Sequence, residues 1–432
     1  MQNSPTPAQE LDFLLAQLDA LAEARASGLQ REAVRSFVRH YYETSSLDAL
    51  KLRSPQELVD IAHAHWGFAA RRMPGEGLVR VTPPAVAAGG AALARLSTCT
   101  DDMPFLVDSV SMAVRGAGST IDWTAHPVLH LRRNAQGELN GAASEGAAES
   151  WIHMEFEALA GAAAYPQLEE SLNQVLTDLR TVVEDYEAMR ARAQALAAQF
   201  DQAPKAADAA EFSEAAALLR WLDDGHFTLL GYAETELRQN NGKAHFVGKG
   251  SAALGLSRKG ARFSDPEQLI APNEELDKYA DSPRLVVLTK AALKSPVRHP
   301  EYMDVISFKL FKADGSRAGT ARLIGLFSSE AYLEKPSSIP VIRRKVAYVT
   351  TRARLPQDSH SGKNLKLILN SLPRDELFQS GEEELFATCM GIRALRERQQ
   401  LKLFMRRDRY GRYFSGLVYV LISLPVGSLA PL

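Results

Sequence analysis

The sequence predicts an α+β fold of several modules: a helical N-terminus, a ferredoxin-like sheet with helices on one face, a mostly β middle unit, and a closing strand pair. Three observations carry this prediction. Between about residues 78 and 197 the patterns run strand, helix, strand, strand, helix. Apolar stripes at helical spacing mark residues 8–70, and β-branched and aromatic runs dominate from about 215. At 432 residues the chain has room for several domains of roughly 100–200 residues each.

Each element has its own signal. Leu11, Leu14, Leu15, Leu18 and Leu21 form one apolar stripe and "REAVRSFVRHYYE" another, so residues 8–70 read as helical. The strands "GLVRVTPP" and "ARLSTCT" follow, then a helix over Met103–Arg115 stopped by the "GAG" at 116–118, then a strand in "STIDWTAHPVLHLRRN". "NAQGELNGAASEGAAES" is a polar loop, and "WIHMEFEAL" alternates like a strand with one buried face. Leu168, Leu172, Val175, Leu179, Val182, Val183, Tyr186 and Met189 mark a long amphipathic helix, and residues 199–215 read as a linker or helix break. The second unit opens with a strand over Phe227–Leu237 and continues through "PRLVVLTKA" to a strand pair turning at Asp314-Gly315. "PVIRRKVAYVTTRA" fits a helix or a strand; helices in "GKNLKLILNSL" and "DELFQSGEEELFATCMGIRALRERQQ" come next, and "LKLFMRRDRYGRYFSGLVYV" ends in strands with a turn at Tyr410-Gly411.

Composition removes several function classes. A formal net charge of −2 and the lack of a basic block give no field for nucleic acid. Cys99 and Cys389 are the only cysteines and have no metal-ligand spacing, which fits a reducing compartment and no disulfide scaffold. The start "MQNSPTPAQE" has no signal-peptide pattern, so a cytoplasmic location is expected. Residues 413–432 carry no charge and match a bilayer in length, but Pro425, Gly427, Ser428 and Pro431 break the run, and no membrane anchor is expected.

Four stretches resemble chemistry. "GKGSAALG", Gly248–Gly255, has the wrong glycine spacing for a dinucleotide loop and reads as a flexible loop. "SHSGKN", 359–364, lacks the first glycine and the magnesium-holding hydroxyl of a phosphate loop; Gly362 reads as the end of a loop before a helix. "DDGHF", 223–227, reads as a helix C-terminus, with Gly225 the left-handed stop and His226 near the negative end of the dipole. "TDDMPFLVDSV" stands apart. Asp101 or Asp102 can cap the helix with Pro104 in its first turn, but capping leaves the second acid, Asp108 and Ser109 unexplained. Adjacent acids at a helix tip favour an ammonium group while its N–H groups favour an anion, and an amino acid carries both. Asp101, Asp102, Asp108 and Ser109 are therefore effector-binding candidates; capping alone and a catalytic dyad remain as alternatives. No catalytic set of Ser-His, Cys-His or metal ligands accompanies them.

"TDDMPFLVDSV", "WLDDGHFTLLGY", "RHPEYMDVISFKLF", "ARLIGLFSSEAY", "IPVIRRKVAYV", "LILNSLPRDELFQ" and "RRDRYGRYFSGLVYV" occur in this order. Together they resemble the amino-terminal region of the large bacterial NAD-dependent glutamate dehydrogenases. The resemblance implies a regulatory segment of ACT-like modules with a PAS-like module between them. The expected organisation is a helical lead-in (1–70), a first ACT-like module (76–198), a mostly β PAS-like module (212–335), a helical connector (340–400), and the start of a truncated second ACT-like module (401–432). It also implies an intact parent that oxidises L-glutamate with NAD, a homo-oligomer of sister subunits, and an amino-acid effector. The resemblance fades after "LVYV", where "LISLPVGSLAPL" suggests a shifted or truncated reading frame. The family's catalytic lysine motif and nucleotide-binding fingerprint do not occur in these residues, so no catalytic, cofactor-binding or metal residue is assigned.

Overall fold

In the computed structural model of the chain, the described residues are 6–25, 31–84, 93–142, 146–202, 209–240, 243–258, 284–395, 401–407 and 414–420. They belong to two compact units, Met1–Val183 with Pro296–Pro300, and Glu184–Ser295 with Glu301–Leu432.

The first unit begins with helices α1 (Pro7–Arg25), α2 (Arg31–Tyr42), α3 (Leu47–Lys51) and α4 (Pro55–Phe68). α4 starts where the sequence supplies a full capping box: the Ser54 hydroxyl accepts the Glu57 N–H, the Glu57 carboxylate accepts the Ser54 N–H, and Pro55 takes the first helical position. Strands β1 (Leu78–Thr82), β2 (Leu93–Asp101), β3 (Ile121–Ala125), β4 (Val128–Arg133), β5 (Leu139–Ala142) and β6 (Ala147–Glu157) make one sheet. Its order is β1-β2-β6-β4-β5 with β3 also on β6, and every pairing is antiparallel. Helix α5 (Leu106–Gly116) connects β2 to β3, and α6 (Ala164–Asp201) follows β6. The expected strand, helix, strand, strand, helix order is present.

Two expectations about this sheet are corrected. β6 does not bury one face only: every residue from Trp151 to Phe156 is buried. Nor are the helices on one face. Trp151, Cys99, Trp123 and Leu131 share a core with Phe37, Tyr41, Leu58 and Trp66 of the leading helices. On the other face Leu96, Ile152, Met154 and Phe156 are buried, and Arg180 of α6 reaches the Thr100 hydroxyl at 2.8 Å. The helical lead-in is therefore a second layer of the same unit, because a strand with apolar residues at both parities needs cover on both sides. The polar loop after β4 also holds more structure than expected, namely β5 and the start of β6. Asn134 Oδ1 accepts the N–H groups of Gln136 and Glu138 at 3.0 and 2.9 Å to make the turn. Gly137 completes it at φ +79°, where a Cβ would lie 2.5 Å from the Arg72 carbonyl oxygen.

The second unit carries α7 (Ala209–Trp221) and strands β7 (Phe227–Asn240), β8 (Lys243–Gly248), β9 (Leu254–Gly255), β10 (Val286–Lys294), β11 (Tyr302–Phe311) and β12 (Arg317–Phe327). The sheet order is β10-β11-β12-β7-β8, antiparallel throughout. The β11–β12 hairpin turns at Asp314-Gly315 as expected: Gly315 has φ +80° and Asp314 Oδ1 accepts the Ser316 N–H at 2.8 Å. Helices α8 (Ser329–Leu333), α9 (Ile342–Ala353), α10 (His360–Ser371), α11 (Arg374–Gln379) and α12 (Glu382–Arg393) follow, so the ambiguous 339–353 stretch is helical. One helical run becomes two, α11 and α12, separated at Ser380-Gly381. Buried Lys345 donates there to the carbonyls of Leu377, Phe378 and Ser380 at 2.8, 2.6 and 2.9 Å, satisfying the end of α11. Strands β13 (Leu401–Arg407) and β14 (Phe414–Val420) pair as a hairpin. The predicted turn at Tyr410-Gly411 and the uncharged stretch 421–432 lie outside the described residues.

Candidate functional site

The stretch with paired acids ends β2 and enters α5, but it does not cap the helix as expected. α5 starts at Leu106, and its N-cap is Phe105, in the left-handed region at φ 67°, with no side-chain hydrogen bond to the first turn. Pro104 therefore precedes the helix, and neither aspartate caps it. The left-handed turn at a bulky residue is costly and turns the chain sharply between strand and helix.

The acids separate into two roles. Asp101 is the half-buried edge of an ionic cluster: its carboxylate accepts from Arg180 Nη1 at 2.6 Å and from the Gly75 N–H at 3.0 Å, and lies 2.9 Å from Arg72 Nη2. Burial alone would raise its pKa, but the hydrogen bond from Arg180 and the charge of Arg72 hold the carboxyl below its ordinary range. The same Arg72 donates to Glu149 Oε1 at 2.8 Å, and Arg133 grips both oxygens of Glu149 at 2.7 and 2.9 Å. Glu149 is also held low: burial opposes ionisation, and hydrogen bonds from Arg133 and Arg72 overcome it. The Cys99 thiol donates to Glu149 at 3.5 Å, and burial, reinforced by the Glu149 charge, pushes its pKa well up, so Cys99 is an inert packed thiol.

Asp102 and Asp108 are exposed. The Asp102 backbone N–H is tied to the Ala148 carbonyl at 3.0 Å, which leaves its side chain at the sheet end. Ser109 is fully buried; its hydroxyl donates to the Phe105 carbonyl at 2.7 Å and accepts the Arg298 N–H at 3.1 Å. The sequence thus brings four candidates to one helix tip, of which Asp102 and Asp108 face solvent while Asp101 and Ser109 are committed to protein partners.

Sequence reasoning missed His126, beside this tip. His126 Nε2 lies 2.7 Å from the Ser150 hydroxyl. Burial lowers its pKa, and the nearby Asp102 charge works the other way without prevailing. An Asp, a His and a Ser are near one another here, yet Ser150 is completely buried in the middle of β6, so its hydroxyl cannot attack a substrate. Pro127 within a strand pattern was the available signal, since proline in a strand marks an irregularity such as the β3/β4 break. Arg72 and Arg180 gave no signal, being far in sequence from the acid they hold.

The other stretches resolve as structure. Gly225 stands at φ +80°, His226 stacks on Trp221 at 4.4 Å with its Nδ1 2.9 Å from the Trp221 carbonyl, and Asp223 is held by Arg190 at 2.6 Å and Gln194 at 2.7 Å. That is the expected helix end. Gly248–Gly255 is a tied turn rather than a flexible loop: Asp185 accepts the Gly255 N–H at 2.7 Å, and a Cβ on Gly255 would lie 2.4 Å from the Leu230 carbonyl oxygen. Ser359 caps α10 by accepting the Gly362 N–H at 3.1 Å, which places Gly362 inside the first turn rather than at a loop end. Among the described residues, no group of three or more His, Cys, Asp or Glu side chains is placed to hold a metal ion, and no helix is long and apolar enough to cross a membrane.

Comparison with known proteins places this architecture. Residues 37–172 match the family model described as glutamate dehydrogenase, ACT1 domain, and residues 339–398 match glutamate dehydrogenase, helical motif 1. NAD-specific glutamate dehydrogenase of Halomonas elongata is 32% identical over 416 residues, 94% of this chain and 26% of the relative. The chain belongs to the NAD-specific glutamate dehydrogenase family, in its N-terminal region. The Pseudomonas aeruginosa enzyme of the same name is 33% identical over 90% of the chain and 24% of its own length, and the Mycobacterium tuberculosis enzyme 29% identical over 83% and 21%. The chain spans about a quarter of the length of these dehydrogenases. The ACT1 match starts within α2 and takes in the whole sheet, so in this glutamate dehydrogenase segment the family's domain and the two-faced sheet coincide.

Proposed function

We propose that this chain is a regulatory segment of an NAD-dependent glutamate dehydrogenase, whose parent converts L-glutamate, NAD⁺ and water to 2-oxoglutarate, ammonium and NADH. NAD and the chemistry belong to other parts of the parent, and the segment by itself does not turn over glutamate. The observation that supports this best is the ACT1 match over a sheet whose helix tip presents acid to solvent on a rigid ionic base. In this reading an amino-acid effector places its ammonium on Asp102 and its carboxylate at the first-turn N–H groups of α5. Asp101 serves as the positioning residue, locked by Arg72 and Arg180, and Asp108 adds negative charge one turn along.

Calorimetric titration with the proteinogenic amino acids tests it. Binding of at least one, weakened roughly tenfold or more by Asp102→Ala in a chain with unchanged circular dichroism, is expected. No binding by any amino acid, or binding indifferent to Asp102→Ala, overturns the effector reading.

The β7–β12 sheet is read as the PAS-like module and the β13–β14 hairpin as the start of a second ACT-like module. A second functional reading, subunit assembly without a small ligand, is favoured by the outer face of that hairpin. Leu401, Leu403, Met405, Phe414, Val418 and Val420 are all between 51 and 65% exposed there. Concentration-dependent light scattering separates the two readings.

A further inference from the structure

The inner side of the same hairpin borders an open hollow of about 390 Å³, lined on its other sides by α11, α12 and Leu372. That volume lies within the range of small-molecule sites. Its floor is apolar, formed by Leu372, Leu385, Phe404 and Leu417. Two acids and two cations line it, and their partners decide its chemistry. Glu376 takes both Arg406 nitrogens at 2.9 and 3.0 Å, and burial, which would raise its pKa, is outweighed by that contact and one from Ser415. That pair is spent. Glu384 is exposed and closes the α12 capping box on the Gly381 N–H at 3.2 Å, where the helix dipole offsets its charge. Lys402 is different: among the described residues no carboxylate pairs with its half-buried ammonium, which lies 5.3 Å from the centre of the Phe404 ring. α12 comes close to both groups, since a Cβ on Gly391 would stand 2.7 Å from the ring and 3.2 Å from Lys402 Nζ. A cation, an aromatic face and an apolar floor therefore meet in one hollow.

We propose that this cavity binds a small amphipathic monoanion, a carboxylate joined to a compact aromatic or aliphatic body, with Lys402 taking the carboxylate and Phe404, Leu385 and Leu417 the body. The site lies wholly within the second unit and does not depend on the effector reading of the α5 tip. Thr388, one turn along from Glu384, adds a hydroxyl to the wall.

Titration of the full chain with benzoate and hexanoate, and with neutral benzamide as control, tests the assignment. Saturable 1:1 binding of the two anions is expected, with benzamide at least tenfold weaker, because a charge-assisted hydrogen bond is lost. Lys402→Gln reduces benzoate affinity by roughly tenfold or more while Lys402→Arg keeps most of it, and Asp102→Ala leaves it unchanged. Ala387→Leu, which fills the mouth of the cavity without touching a charge, weakens both anions alike and carries the test if the lysine variants do not fold. Absence of saturable binding at millimolar anion, equal binding of benzamide, or benzoate affinity unmoved by either Lys402→Gln or Ala387→Leu overturns the proposal.

Discussion

Each unit holds one ionic cluster whose charge excess is opposite to that of the other. In the first, Asp101 and Glu149 are surrounded by Arg72, Arg133 and Arg180, and the same unit buries His65, whose ring bridges the Tyr41 hydroxyl at 2.7 Å and the Thr98 carbonyl at 3.0 Å. In the second, Lys290 faces two carboxylates, Asp304 at 2.8 Å and Asp375 at 3.3 Å. A surplus of cation discourages a further proton, whereas a surplus of carboxylate invites one. The difference teaches that one chain can carry two buried polar centres with opposite responses to acid.

The hardest way to break the contrast is to remove Glu149. Glu149→Ala leaves Arg72 and Arg133 facing each other without their shared anion, and a loss of about 3–5 kcal/mol is expected in urea unfolding. A loss under 1 kcal/mol would mean that water reaches the arginines and the cluster is not dry. Acid sharpens the contrast next. Burial, with the neighbouring His153 adding to it, pushes His65 down to about 3. Its folded value is below its unfolded one, so the stability it contributes is complete above about pH 6.5 and is lost as pH falls toward the folded value, by up to about 1.4 kcal/mol per pH unit. His65→Gln should flatten that limb in unfolding measured at pH 7, 6 and 5.

Asp304 gives the opposite limb. Its complete burial holds its pKa above the carboxylate range; Lys290 pulls it back down, and the Asp375 charge adds to the rise. A raised folded value contributes stability that is complete below about pH 4 and disappears as pH rises through the folded value. Hydrogen exchange in β10 and β11 should therefore quicken from mild acid toward neutrality, over and above the chemical rate, and Asp304→Asn should remove that trend. The smallest effect is expected at the hairpin: Leu403→Ser changes stability by less than about 0.5 kcal/mol but reduces light scattering at high concentration. Unchanged scattering would remove the assembly reading.

Much of this was legible in the sequence where the signal is local. The "GAG" stop after α5, the Asp314-Gly315 turn and the Gly225 helix end follow from backbone preferences within a few residues. The two-layer cover of the first sheet was not legible, because His153 and Glu155 look like a solvent face. They are buried because Arg53, from the end of α3, reaches Glu155 at 3.1 Å and stacks on Trp123 at 3.9 Å. The candidate site shows the same divide. Its acids stand out as a motif, but Asp101 loses its freedom to Arg72 and Arg180, 29 residues before it and 79 after it in the chain, and no local pattern records such partners.

In a β-α-β-β-α-β module the closing strand follows the second helix and must return to the sheet. Here the place beside β2 is already filled by β1, a strand that comes earlier in the chain, and the side chain of Glu169 accepts the Val81 N–H of that strand at 2.8 Å. The module is in effect a circular permutant of that plan, with its ends relocated. The second helix has no return journey to make, so α6 can continue for 38 residues, and the exit from the module is a helix instead of a strand. Regrafting residues 78–82 behind α6 would require that helix to be cut short; the early position of one five-residue strand is what permits its length.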